Sequence, residues 1–275
     1  MCYAFSPTMK PVLTEAEVDA LPSRSVPFGA IVPAAGKGTR LGHDAPKILF
    51  PVHGRPILAW LLDLLVPVTA KIIIVASPSG RAPIEEALAR LAAPSTIAIA
   101  IAVQPEPRGM ADAVLAANGA MDLAHSLVVW GDQIGLAART VARIVRLHAA
   151  REEATLTLAT LLRSSPYIHV ERDVDGRIVR VNEARKAPIT VPVGENDCGL
   201  FAFQTRALFE ILEAARPTEA SAPEFDLLPL FPRFERGPST VATMRLGDAS
   251  ETLGINTRAD SEKMAEILAS REHRA

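Results

Sequence analysis

Short apolar runs, each bounded by turn-forming residues, recur through the first half of the chain. They lie at 28–33 (FGAIVP), 71–76 (KIIIVA), 96–103 and 126–130 (SLVVW). Runs of this kind suit strands that are buried on both faces of a parallel sheet. Between them, residues 56–65, 82–91, 111–120 and 136–148 carry helical patterns. Pro56 falls in the first turn of its helix, where a missing N–H costs nothing. Strand and helix in alternation predict βαβ units and a mostly parallel sheet.

The pattern changes after residue 151. Residues 154–161 alternate as a strand, and 170–172 and 177–181 flank Asp173-Val174-Asp175-Gly176, a hairpin turn. A strand at 198–203, a helix at 206–215, a strand at 241–246 and a closing helix at 258–270 follow. No repeat of fixed period is visible. Ahead of all this, Pro7, Pro11, Pro22 and Pro27 break any long element, leaving room for a short helix at 15–20. The expected architecture is α/β, a Rossmann-like three-layer sandwich. Its mixed, mostly parallel sheet carries an antiparallel elaboration that covers a substrate. The expected organisation is an N-terminal extension over 1–26 and one domain over 27–275, with halves 27–150 and 151–275.

Composition narrows the class. Of 275 residues, 49% are hydrophobic and 22% charged, ample for a core. A formal net charge of -2 and 5% aromatics supply neither a basic field nor a stacking platform for nucleic acid. Cys2 and Cys198 have neither metal-ligand spacing nor a disulfide framework, which fits a reducing cytoplasm. Residues 1–27 lack the long apolar run of a signal peptide, and no stretch reaches the roughly 20 apolar residues of a membrane helix.

The chemistry concentrates after the first strand. Pro33, Ala34, Ala35, Gly36, Lys37, Gly38, Thr39 and Arg40 form a loop of small residues whose backbone N–H groups can approach an anion. Lys37, Arg40 and Lys47 add positive charge. The Walker pattern is absent, and the glycines read G-x-G-x-x-x-G, one residue longer than the dinucleotide fingerprint. The loop therefore predicts a phosphate site of another kind.

The stretch from Pro33 to Gly42, then Ala45-Pro46-Lys47, then Val52-His53-Gly54-Arg55-Pro56-Ile57, resembles the G-x-G-x-R…P-K…G-x-P signature of sugar-phosphate nucleotidyltransferases. The likeness is greatest to the N-acetylglucosamine-1-phosphate uridyltransferase domain and extends over roughly residues 28–270. It implies that an acceptor phosphate attacks the α-phosphorus of an NTP, UTP favoured, and expels pyrophosphate. Residues 27–150 become the NTP-binding half and 151–275 the acceptor-binding half. Arg40 and Lys47 take catalytic places over the phosphates. Pro33 through Gly38, with Gln104, Gly109, Met110 and Gly131, bind the nucleotide; Gly109 would let the base lie against the backbone. Asp132 and Asn256, in Trp130-Gly131-Asp132 and Leu253-Gly254-Ile255-Asn256, become Mg²⁺ ligands. Glu183, Asp197 and Gly199 contact the acceptor, and Glu224-Phe225-Asp226-Leu227 supports the site wall.

The chain departs from the family's pattern on the acceptor side. Asp197 replaces an Asn and Cys198 a Thr, and Ile168 stands at a sugar-contacting Gly, where its branched chain would crowd a pyranose. Met110 replaces a Thr beside Gly109. No hexapeptide repeat follows residue 258. These departures keep open cytidylyl transfer to a phosphonate, phosphocholine or polyol phosphate. They also leave a non-catalytic nucleotide-binding protein as a remote alternative. The expected partners are an NTP and a small phosphorylated acceptor, without nucleic acid or membrane; a homo-oligomer stays open. The six histidines make no H-E-x-x-H site, although His169 lies in the acceptor region.

Overall fold

A computed structural model describes residues 12–91, 97–218, 224–235 and 240–273. Its elements in order are β1 (Val12–Thr14), α1 (Glu15–Asp19), β2 (Phe28–Pro33), β3 (Pro51–Val52), β4 (Arg55–Pro56), α2 (Ile57–Leu65) and β5 (Lys71–Ala76). They continue with α3 (Arg81–Leu91), β6 (Ala98–Val103), α4 (Met110–Leu115), β7 (His125–Val129), α5 (Ala138–Ala150) and β8 (Ala154–Ser164). The chain ends with β9 (Ile168–Arg172), β10 (Ile178–Glu183), β11 (Val193–Gln204), α6 (Thr205–Ala215), β12 (Thr240–Arg245) and α7 (Arg258–Glu272). Position 96 of the expected strand 96–103, residues 1–11 of the expected extension, and Cys2 lie outside the described residues.

Eight strands form one sheet in the order β1-β12-β8-β11-β7-β2-β5-β6. Within it β11 runs against both neighbours, and the other strand pairs are parallel. The hairpin β9–β10 and the short pair β3–β4 are separate antiparallel sheets. The expected mixed, mostly parallel sheet is what the chain forms.

The period of two along each strand divides the core in two. Phe28, Ala30 and Val32 of β2, with Ile72 and Ile74 of β5, face α2, α5 and α7. Ile31, Ile73 and Val75 face the other way, toward α4, α6 and the 3-10 segment Leu228–Glu235. With helices on both faces, every position of β2 is buried, so its sequence reads as a continuous apolar run. α5 shows the complementary rule: it buries Val141, Ile144 and His148, spaced three and four apart, on its sheet-facing side.

The described part of the extension is built into the sheet. β1 pairs in parallel with the free edge of β12. Thr14 then starts α1 with a capping box: its hydroxyl accepts the Glu17 N–H, and the Glu17 carboxylate accepts the Thr14 N–H. Val18 is fully buried, and Arg143 of α5 pairs with Glu15 and Asp19.

From β2 the chain builds β5 and β6 on one side and returns to place β7 on the other. In open α/β sheets such a reversal leaves a crevice outside the carboxyl ends of the strands. The loop after β2 and the Trp130-Gly131-Asp132 turn after β7 both open there. A Cβ at Gly131 would lie 2.4 Å from the Pro33 carbonyl oxygen, so glycine lets the two loops close on each other.

Candidate active site

The loop after β2 returns on itself. The Ala34 N–H donates to the Val75 carbonyl, the Leu41 N–H to that of Gly38, and the Lys47 N–H to that of Gly36. Lys37 and Pro46 face each other across an isolated bridge. Gly38 is enclosed, with a Cβ meeting His43 at 3.0 Å, whereas a Cβ at Gly36 would meet nothing within 4 Å. The protein therefore places no steric demand for glycine at Gly36. Close approach of a ligand to that exposed backbone is the physical reason a glycine would serve there. Lys37 and Arg40 are exposed on the same loop.

Lys47 is the meeting point. Its ammonium donates to Asp132 Oδ2 at 2.5 Å and to Asn256 Oδ1 at 3.0 Å, while Arg40 Nη2 lies 3.4 Å from the same Asn256 oxygen. Residues from three separated segments thus converge at the carboxyl ends of β2 and β7. Asn256 is set by the start of α7. Thr257 and Asp260 form a capping box there, and Asp260 Oδ2 also accepts the Asn256 N–H at 3.0 Å. The Ile255 N–H donates to the Asp132 main-chain carbonyl at 3.2 Å, which fixes the two side chains in register.

This arrangement bears on the metal. No group of three or more His, Cys, Asp or Glu side chains that could hold an ion occurs among the described residues. Mg²⁺, however, often takes one or two protein oxygens and completes its shell with substrate phosphates and water. The Asp132 carboxylate and the Asn256 amide oxygen already converge on a cation, the Lys47 ammonium. The donor set therefore fits a hard divalent ion.

The base-side residues are drawn together differently from the sequence expectation. Gln104 is buried, and its Nε2 donates to the Gly109 carbonyl at 3.1 Å and to Asp112 Oδ2 at 3.0 Å. Gly109 has φ 112°. A Cβ there would lie 2.5 Å from the Phe225 carbonyl oxygen, and that oxygen accepts the Ala111 N–H at 2.9 Å. The space expected for a base against Gly109 is therefore taken, on its side-chain side, by the backbone of Phe225. Met110 begins α4 and is partly exposed.

On the acceptor side, Ile168 is buried in the apolar cluster shared with Val170, Ile178 and Val181. The crowding expected from its branched chain does not follow, because the protein interior takes that chain up. Its N–H donates to Asn196 Oδ1 at 3.0 Å. Glu183 is bound by Arg185 and Lys186, each at 2.7 Å. Arg185 also reaches Glu224 at 2.6 Å and Asp226 at 2.8 Å, and Lys186 reaches Asp226 at 2.5 Å. The 224–226 segment is thus tied to the end of β10 by ion pairs. The cations, Arg185 and Lys186, directly follow Glu183-Ala184, and no motif in the sequence marks them.

Asp197 sits where β11 bulges away from β8. Its Oδ2 accepts the Gly199 N–H at 3.0 Å. Burial, reinforced by the nearby charges of Glu183 and Asp132, pushes its carboxyl up to about 6. Gly199 has φ 66° and lies against Trp130 and Gln133, each 2.6 Å from an added Cβ. The bulge therefore brings the acceptor strand against the turn that carries Asp132. His169 packs on Gly194, away from any ion pair among the described residues.

An open α/β crevice with a small-residue loop, clustered cations and a divalent-capable oxygen pair makes this the candidate site. Residues 30–224 match the MobA-like NTP transferase domain. The chain belongs to that family, and it is a nucleotidyltransferase by class. Similar proteins include the bifunctional protein GlmU of Pelotomaculum thermopropionicum, 29% identical over 248 residues, covering 87% of this chain and 51% of that protein. The protein of the same name from Novosphingobium aromaticivorans is 33% identical over 243 residues, covering 85% and 51%. That from Carboxydothermus hydrogenoformans is 30% identical over 233 residues, covering 83% and 50%. The chain thus spans about half the length of these curated relatives. The family match stops short of Asn256, so its place in the site rests on the geometry around Lys47. No helix among the described residues is long and apolar enough to cross a membrane.

Proposed function

We propose that the chain transfers a nucleotidyl group from an NTP, UTP favoured, to a sugar 1-phosphate in the presence of Mg²⁺, giving an NDP-sugar and pyrophosphate. The observation that carries this reading is the convergence of Lys47, Asp132, Asn256 and Arg40 beside the open Gly36 backbone. The relatives' similarity supports the sugar phosphate as acceptor.

The acceptor phosphate is itself an anionic nucleophile, so the residues have to position and neutralise rather than abstract a proton. The loop from Pro33 to Gly38 offers backbone N–H groups to the triphosphate, Arg40 covers it from the solvent side, and Lys47 meets the charge developing around the α-phosphate. Asp132 and Asn256 would hold the Mg²⁺, which supplies Lewis-acid stabilisation of the phosphate oxygens. In this reading residues 27–150 form the donor half and 151–275 the acceptor half. Gln104 acts by holding the Gly109–Met110 turn in place beside the base.

A second reading, cytidylyl transfer to an acceptor such as phosphocholine, is favoured by Asp197. This buried group stands near the carboxylates of Glu183 and Asp132, whose charges help push its carboxyl up. A screen of four NTPs against hexose 1-phosphates, phosphocholine, phosphonates and polyol phosphates, read by pyrophosphate release, separates the two. UTP with a hexose 1-phosphate is the expected productive pair. CTP with phosphocholine would move the assignment to the second reading, and no pyrophosphate from any pair would sink both.

A further inference from the structure

We infer that Lys47 is a built-in stand-in cation: its ammonium holds the Asp132–Asn256 oxygen pair until a nucleoside triphosphate draws it away, so the divalent ion binds together with the nucleotide and poorly before it. The inference rests on the proposed donor site and specifies the order in which that site fills.

The two oxygens that suit a divalent ion are the two that accept from Lys47, at 2.5 and 3.0 Å. A divalent ion cannot share that pair with an ammonium at contact distance, because the two positive charges repel strongly where water is partly excluded. Lys47 and Asp132 have side chains only 18% and 20% exposed, so screening is incomplete.

The Lys47 backbone is fixed, and its side chain is held through hydrogen bonds of its ammonium. Its N–H is bound to the Gly36 carbonyl, and its carbonyl accepts the Phe50 N–H at 3.0 Å in a 3-10 turn. A lysine on a four-carbon stem with three rotatable donors can exchange partners without moving the main chain. The place to which it can turn lies beside it: the small-residue loop, open at Gly36, to which its own N–H is tied. A triphosphate there offers the ammonium new anionic partners and releases the oxygen pair.

The coupling is reciprocal: the factor by which nucleotide tightens the metal is the factor by which metal tightens the nucleotide. Lys47 is the residue that transmits it. Arg40, at 3.4 Å from Asn256 Oδ1 and exposed, adds to the same exclusion more weakly.

The test is Mn²⁺ affinity measured by electron paramagnetic resonance of the free ion, with and without α,β-methylene UTP. It compares wild type, Lys47→Met, Lys47→Arg and Asp132→Asn, with the fold of each checked by circular dichroism. Wild type is expected to bind Mn²⁺ about ten-fold or more tightly with the nucleotide than without it. Lys47→Met should bind Mn²⁺ without nucleotide about ten-fold more tightly than wild type and lose most of the enhancement, while Lys47→Arg, which keeps the charge, should stay weak. Asp132→Asn in the Lys47→Met background should remove the gain. The inference is overturned if Lys47→Met binds Mn²⁺ no better than wild type in the absence of nucleotide while Asp132→Asn still abolishes binding. If Asp132→Asn leaves Mn²⁺ binding untouched in every background, the oxygen pair is not the metal site and the donor-site reading fails instead.

Discussion

Lys47 and Arg185 each gather acidic or amide partners from distant parts of the chain, yet on different terms. Around Lys47 one ammonium serves one carboxylate and one amide oxygen, at the mouth of the crevice. Around Arg185 and Lys186 two cations serve three carboxylates: Glu183, Glu224 and Asp226. Glu183 and Asp226 are nearly buried there, with side chains 6% and 8% exposed. Burial of carboxylates demands fixed counter-charge, and a shared, multiply bonded set supplies it. The Arg185 cluster therefore ties β10 to the 224–226 segment and behaves as a wall. The Lys47 cluster has spare capacity on the Asp132 carboxylate, and in the proposed reading it exchanges its cation. In that reading, charge pairs of similar length mean structure in one place and chemistry in the other; what separates them is how completely each charge is used.

The largest effects belong to the exchangeable cluster. Lys47→Ala and Asp132→Asn should each lower pyrophosphate release roughly a thousand-fold, as loss of a group aimed at transition-state charge does. Thermal unfolding should move modestly, because a partly buried pair with one carboxylate still open to solvent contributes about 1–2 kcal/mol. A collapse in melting temperature in both variants would make the Lys47 cluster a structural one and remove the contrast.

Asp197 lies between the clusters and feels both. Its folded pKa, about 6, is above the ordinary 3.8 of an unfolded Asp. The sign follows: its contribution to stability is fully present below about pH 4 and is lost as pH rises through about 6. Asp197→Asn keeps an oxygen for the Gly199 N–H and removes the buried charge. It should match wild type near pH 4 and exceed it above pH 6, by up to ~3 kcal/mol for a shift of about two units. Denaturant unfolding at the two pH values reads this directly, and an Asn variant less stable at pH 8 would place an unseen cation partner on Asp197.

Arg185→Ala should leave Glu183 and Asp226 to Lys186 alone. The expected loss is about 1–2 kcal/mol after discounting for the exposure of the arginine, or roughly 3–6 °C in melting temperature. The acceptor KM should rise while the NTP KM holds, and a rise confined to the NTP KM would merge the two clusters into one site. The smallest effect is expected at Arg143→Ala. It removes the pairs with Glu15 and Asp19, with activity unchanged and only a slight loss in urea unfolding.

Much of the fold was legible along the chain. The runs 28–33 and 71–76 coincide with β2 and β5, and the change of pattern after residue 151 marks the entry into β8, β9–β10 and β11. β1 was missed because three residues are too few to show a period, and the strand exists by pairing with β12, far away in sequence. The helix expected over 111–120 is α4 to Leu115 followed by a short 3-10 turn at Asn118–Ala120. In the site, the loop Pro33–Arg40 and Lys47 share one local stretch and could be read together. Arg185 and Lys186 could not, since their meaning depends on carboxylates that only packing brings to them.

Local composition and spacing were enough for the strand runs, the helix faces and the small-residue loop with its lysine and arginine, because each is a property of neighbouring residues and their backbone geometry. The encounters belong to the folded chain. Lys47 meets Asp132 across 85 positions and Asn256 across 209, and both meetings depend on the order of strands in the sheet and the capped start of α7. Folding likewise put the Phe225 backbone against Gly109, where the sequence left room for a base, and put Ile168 into the core rather than the crevice. A side chain's type limits what it can bind, but its partner is whatever the sheet order and register set beside it, and no local pattern encodes that.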